Sequence, residues 1–115
     1  MPRLMSVTYT EAAVRDRRKF VTRRKGWRDL KPGTRITLCQ RLRVSPIVRI
    51  VDVEVISVRR EQLDQITADD VAREGFPEMS PAEFIDTFFV RAQNMRPTDE
   101  VTRIEWRYLP TESTT

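Results

Sequence analysis

The stretch "KFVTRRKGW", residues 19–27, sets Lys19, Arg23, Arg24 and Lys25 around Thr22 and then turns on Gly26 into Trp27. No acid stands between Asp16 and Asp29. Arginine grips phosphate bidentately and needs no activation to do so, so the chemistry open to such a segment is anion recognition. Trp27 follows a glycine in this basic stretch, and an aromatic face there can stack an exposed base for about 1–3 kcal/mol. Arg23, Arg24, Lys25 and Trp27 are therefore the candidate ligand-binding residues. The partners they suit are RNA, single-stranded nucleic acid or a nucleoside.

The charge of the whole chain points the same way. The 115 residues carry a net charge of +4, unevenly spread. Residues 1–49 hold 14 Lys and Arg against 3 Asp and Glu, a balance of +11, while residues 50–115 hold 7 against 14, a balance of −7. If folding keeps the halves apart, one face carries a field suited to phosphates; if the acidic half folds over the basic half, it cancels that field. The sequence has no histidine, which removes the commonest metal ligand and general base, so neither a metal site nor a cofactor is expected. The single cysteine, Cys39, cannot form an internal disulfide and reads as a packed thiol in a reducing, cytoplasmic setting. No apolar run approaches the roughly 20 residues that cross a bilayer, and the chain is read as a monomer with no membrane partner.

The elements that must position the basic segment are short. "LMSVTY" (4–9) reads as a first strand, and Thr10 as the cap of a helix with Glu11 in its first turn and Arg15, Arg17 and Arg18 towards its end. "KFVTRR" reads as a second extended segment, and Pro32-Gly33 as a type II turn leading into a strand over Arg35–Arg41. The β-branched run "PIVRIVDVEVISVRR" is the longest strand signal, with Val51, Val53 and Val55 on one face. Apolar residues on both sides near Ile47–Ile50 suggest that this strand starts deep and emerges. "VTRIEWRYL" alternates as a closing strand with one wet face, and Trp106 on its other face reads as core.

Two further helices lie between the long and closing strands. One carries Thr67 as cap, Asp69 and Asp70 in its first turn and Gly75 as its stop. The other has Ser80 as cap, Pro81 at the first position and Glu83 closing a capping box. Phe84, Ile85, Phe88 and Phe89 form a stripe expected to pack against the valine strand. Five or six short strands with few helices predict an α+β fold, a small, mostly antiparallel β-barrel with short helices packed beside it. A single domain is expected over 1–109, with 110–115 as a disordered tail.

Taken in order, "KFVTRRKGWRDLKPGTRITL", the valine-rich strand, "ITADDVAREGFPEMSPAEFIDTFF" and "VTRIEWRYL" resemble the ASCH domain of the PUA-like superfamily, over roughly Met5 to Leu109. The specific parts are the Lys-x-x-Thr-x-Arg element at Lys19, Thr22 and Arg24, the "LKPG" turn, and the "REGF" that ends a helix. The resemblance implies a PUA-like barrel with a cleft that binds RNA or a modified base. One branch of the family hydrolyses acetylcytidine, and other members are ribonucleases. In the amidohydrolase branch the catalytic groups match Lys19, Thr22 and Glu74 here. The usual Gly-x-Lys-Thr opening is replaced by "RRKF", which puts the bulky Phe20 where a small hydroxyl residue is common.

The chemistry of that trio follows from its surroundings. Like charges at Arg17, Arg18, Arg23 and Arg24 disfavour the protonated form of Lys19, and burial would disfavour it further. A neutral Lys19 could take the proton of Thr22, and Glu74 could exchange a proton at a leaving nitrogen against an apolar wall such as Phe76. In a regular strand Lys19 and Thr22 face opposite sides, so Lys19 must sit at a helix end or a bulge. The alternative is an ion pair of Glu74 with Arg23 or Arg24 that fixes geometry alone.

Overall fold

The computed structural model describes residues 3–110. The expected tail, apart from Pro110, lies outside them. Period-2 alternation of β-branched and polar residues produces five strands: β1 (Arg3–Ser6), β2 (Val21–Arg24), β3 (Arg35–Cys39), β4 (Arg49–Gln62) and β5 (Glu100–Tyr108). They form one mixed sheet in the order β1-β3-β4-β5-β2. The β1–β3 pair is parallel and the other three pairs are antiparallel. The 14-residue β4 is the spine. It pairs with β3 over its first part and with β5 over its second, and a register shift between Val55 and Ser57 bends it, leaving Ile56 exposed. The sheet therefore curls into a half-barrel. Its two edge strands come within reach of each other, since Arg24 Nη2 on β2 donates to the Ser6 carbonyl on β1 at 2.7 Å.

Helices flank the sheet: α1 (Glu11–Arg15), α2 (Ala68–Arg73) and α3 (Pro81–Ile85), the last continuing as a π-helical stretch over Asp86–Arg91. The local signals for α2 and α3 hold. Thr67 accepts from the Asp70 amide, Ser80 and Glu83 form the capping box, and Pro81 opens the helix. Gly75 stops α2 with φ +111°, and an added Cβ there would meet Ala13 Cβ at 3.0 Å, so both conformation and space require glycine. Thr10 precedes α1, but its side chain makes no capping bond, and Arg17 and Arg18 lie beyond the helix end.

Two apolar clusters fill the fold. Met5, Val14, Ile36, Leu38, the β4 valines Val51, Val53 and Val55 and the buried Trp106 form one inside the curl of the sheet. Leu63, Val71, Phe84, Ile85, Phe89 and Val101 form the other. The phenylalanine stripe thus packs against the far ends of β4 and β5 rather than against the valines. The bend in β4 divides the core and gives the valines to α1. Phe84→Ala, which empties a 3% exposed site, is expected to lower stability by about 3 kcal/mol. Phe88→Ala, at a half-buried site, should cost less, both read as shifts in urea midpoint.

Two other expectations are corrected. The β4 approach does not start deep: Val48 is 40% exposed and Ile47 and Ile50 are half-buried, because the 41–48 connection stands out from the sheet. The face of β5 read as wet is dry over Val101 and Arg103, which α2 covers.

Candidate functional site

The half-barrel leaves a seam between its edges, and the chain following β1 and the chain entering β2 line a cavity there of about 340 Å³. Lys19, Thr22, Arg24 and Glu74 form its polar side, and Tyr9, Phe76 and Phe88 form an aromatic side. Phe76 and Phe88 stack at 4.7 Å between ring centres, and Tyr9, 77% exposed, leans on Phe88 at 6.0 Å. A volume of this size suits a ligand about as large as a nucleotide.

Lys19 reaches this cavity because β2 begins only at Val21. Lys19 sits in the turn after α1, past Arg17 at φ +60°. The Lys19 carbonyl accepts from Trp106 Nε1 at 3.0 Å and from the Tyr108 hydroxyl, which fixes the backbone from the β5 side. The ammonium group is buried and donates to the Glu74 carbonyl at 2.8 Å and to Glu74 Oε1 at 3.1 Å. Burial pushes its pKa down, Glu74 opposes this, and Arg24 and Arg23 add to the downward push. An ammonium has three donors, so one direction remains for a ligand or for Thr22.

Arg23 turns to the other side of β2. Its Nη1 donates to Glu74 Oε2 at 2.9 Å, its Nη2 to Glu61 at 2.8 Å and to Asp70 at 2.6 Å, and its Nε to Glu61 at 3.1 Å. Arg103 from β5 grips Asp70 with Nε at 2.8 Å and Nη2 at 3.1 Å. The acidic half of the chain thus does fold onto the basic half, but inside, where Glu61, Asp70 and Glu74 neutralise Lys19 and Arg23, together with Arg103 of their own half. No buried side-chain nitrogen or oxygen among the described residues lacks a partner. Nor are three or more metal-ligating side chains grouped there to hold an ion.

Arg24 is different. Half-buried beside Thr22, it donates Nε to Thr22 Oγ1 at 3.3 Å and Nη2 to the Ser6 carbonyl. No carboxylate among the described residues lies within ion-pair distance of it, and Nη1 has no hydrogen-bond partner there. Lys25 lies exposed at the rim. Trp27 lies outside the cavity, half-buried against the first apolar cluster, with the Arg3 guanidinium 4.1 Å above its ring. Phe20 is also outside, its ring edge-on to Tyr108 at 5.6 Å, so it does not narrow the cavity.

The structure therefore brings Lys19, Thr22, Arg24, Lys25 and Glu74 to one cavity and leaves Trp27 away from it. Arg23, expected to bind the ligand, touches the wall but has its guanidinium taken up by Glu61, Asp70 and Glu74. Sequence reasoning missed the aromatic side at Tyr9 and Phe88, since a helical stripe of phenylalanines reads as core. It also missed Glu61, Asp70 and Arg103. The one signal available was the i, i+4 spacing of Asp70 and Glu74, which puts two carboxylates on one helix face.

The curled half-barrel is an ASCH-like fold. A DUF984 protein of Enterococcus faecalis superposes with a TM-score of 0.70 at 12% identity, over 95% of this chain and 80% of that one. The ASCH domain from Lactobacillus crispatus gives 0.59 at 16% identity, over 92% of this chain and 79% of that one. The ASCH protein of Zymomonas mobilis gives 0.58 at 16%, over 90% of this chain and 65% of that one. At these identities the likeness is one of fold. No family model and no curated protein matches the chain. No helix among the described residues is long and apolar enough to cross a membrane.

Proposed function

We propose that the seam cavity binds a single nucleotide of an RNA strand, with its base against Tyr9 and Phe88 and its phosphate on Arg24. The observation that carries this reading is Arg24 itself, a charged guanidinium with no carboxylate partner among the described residues, at the edge of an aromatic-walled cavity. Base stacking on such rings contributes about 1–3 kcal/mol, and a charge-assisted bond to phosphate about 1.5–3 kcal/mol. Titration of a single-stranded oligoribonucleotide at low salt should show binding that weakens steeply as salt rises. Arg24→Ala should weaken it about 10- to 100-fold. A folded protein that binds no RNA at low ionic strength removes the reading.

A second reading, metal-independent hydrolysis of an acylated base such as acetylcytidine, is favoured by burial of Lys19 in the same cavity as Thr22. Lys19, when neutral, takes the Thr22 hydroxyl proton as Thr22 Oγ1 attacks the acyl carbon. The exocyclic amine leaves with that proton, and water then hydrolyses the threonyl ester. Binding ranks first because Lys19 spends two donors on Glu74 and no hydrogen bond links it to Thr22. Release of cytidine without added metal, abolished in Thr22→Ala while ligand still binds, would reverse that order. Cleavage of the oligonucleotide itself would point to a ribonuclease instead.

A further inference from the structure

We infer that the 41–48 connection between β3 and β4 is a second nucleic-acid contact, which holds the strand as it leaves the seam cavity; this rests on the RNA-binding reading above. The connection carries Arg41 and Arg43, with Arg49 just beyond, and all three are exposed. From Leu30 to Val51 the sequence contains no acid, and none of these arginines lies within ion-pair distance of a carboxylate among the described residues. Between them stand Leu42, Val44 and Val48, exposed by 45%, 49% and 40%. A solvated loop has no need of three large aliphatic tips. Alternating cations and apolar tips match a single strand, which offers phosphates at regular intervals and the apolar faces of sugars and bases between them.

The position of this loop gives it continuity with the cavity. Its base is closed by the Gln40 amide, which donates to the Val48 carbonyl at 2.9 Å. The Gln40 carbonyl accepts from Thr8 Oγ1 at 2.7 Å, and the Cys39 carbonyl accepts from the Val7 amide at 2.9 Å. Val7 and Thr8 line the cavity. Gln40 Nε2 also donates to Glu11 Oε2 at 3.1 Å, which ties the base of the loop to α1. The base of the loop is therefore hydrogen-bonded to cavity-lining residues on the β1 side, next to Ser6, whose carbonyl accepts from Arg24.

The test compares a nucleoside monophosphate with a twelve-nucleotide single-stranded RNA on the full chain. Arg41→Ala/Arg43→Ala should weaken the oligonucleotide about tenfold or more and lower its salt slope by about 1.4, two phosphate contacts at about 0.7 each. Leu42→Ser/Val44→Ser, which leaves net charge unchanged, should weaken the oligonucleotide several-fold with the slope intact. Neither variant should change binding of the monophosphate, whereas Arg24→Ala should weaken both ligands. If both loop variants bind the oligonucleotide as the parent does while Arg24→Ala loses it, the loop contact is wrong and the cavity reading stands. If the parent binds neither ligand, both fall. Light scattering on the same variants covers the remaining occupant: a loss of self-association with unchanged RNA affinity would assign the loop to a second copy of the chain and overturn the inference.

Discussion

Replacing Arg23 by alanine is expected to lower folding stability by about 5 kcal/mol, because three buried carboxylates lose a shared partner. The Arg23 side chain is 1% exposed and its donors serve Glu61, Asp70 and Glu74 together. Lys19 still faces Glu74 and Arg103 still faces Asp70 after the change, but Glu61 keeps only Arg59, whose own side chain is 61% exposed. Arg23→Lys should fall between, since one ammonium cannot reproduce a fork that spans three partners. The measurement is urea unfolding, where a lower midpoint at unchanged slope reports stability alone. Arg24→Ala is the control, because its loss removes bonds to Thr22 and Ser6 and strands no charge, so its cost should stay near 1 kcal/mol. An Arg23→Ala protein as stable as the parent would mean that the carboxylates are solvated or protonated, and that Arg23 is available to a ligand after all.

The contrast between these neighbouring arginines marks where sequence stops being sufficient. Strand phase was legible on β2, and alternation alone sends Thr22 and Arg24 one way and Arg23 the other. What meets each side chain was not legible, because Glu61, Asp70 and Glu74 are 38 to 51 residues away along the chain. Local signals carried further: the Thr67 cap, the Ser80–Glu83 box and the Gly75 stop all stand, since each is decided within a turn or two of backbone. Arg103 shows the opposite case. Its place in an alternating strand implied a wet face, and only the docking of α2 makes that face dry. Trp27 similarly read as a stacking ring, yet it packs against the first cluster and the Arg3 guanidinium lies over its ring. The bend at Val55–Ser57 had no sequence signal, and it is what separates the phenylalanines from the valines.

Asp70→Asn is expected to cost about 3 kcal/mol above about pH 5, and the gap from the parent should close as pH falls. Burial acts to raise the Asp70 carboxyl, but hydrogen bonds from Arg103, Arg23 and Arg73 outweigh it and hold the carboxyl well below the usual carboxylate range. Glu61 is likewise held low, as bonds from Arg59 and Arg23 outweigh burial. A carboxyl whose folded pKa is depressed contributes stability that is fully present above its unfolded value, about 3.9 for aspartate, and is lost as pH falls through the folded pKa. Between those limits the unfolded chain binds the proton and the folded chain does not. The gap should therefore narrow by roughly 1.4 kcal/mol for each pH unit below about 4. Urea midpoints of parent and Asp70→Asn at several pH values between about 2.5 and 7 measure this directly. The asparagine keeps a similar shape and can still accept one bond from Arg103, so the pH-dependent part of the difference reports the charge. A gap that stays flat down to the lowest pH would show that Asp70 titrates alike in both states, and that the arginines around it hold position without stabilising its charge.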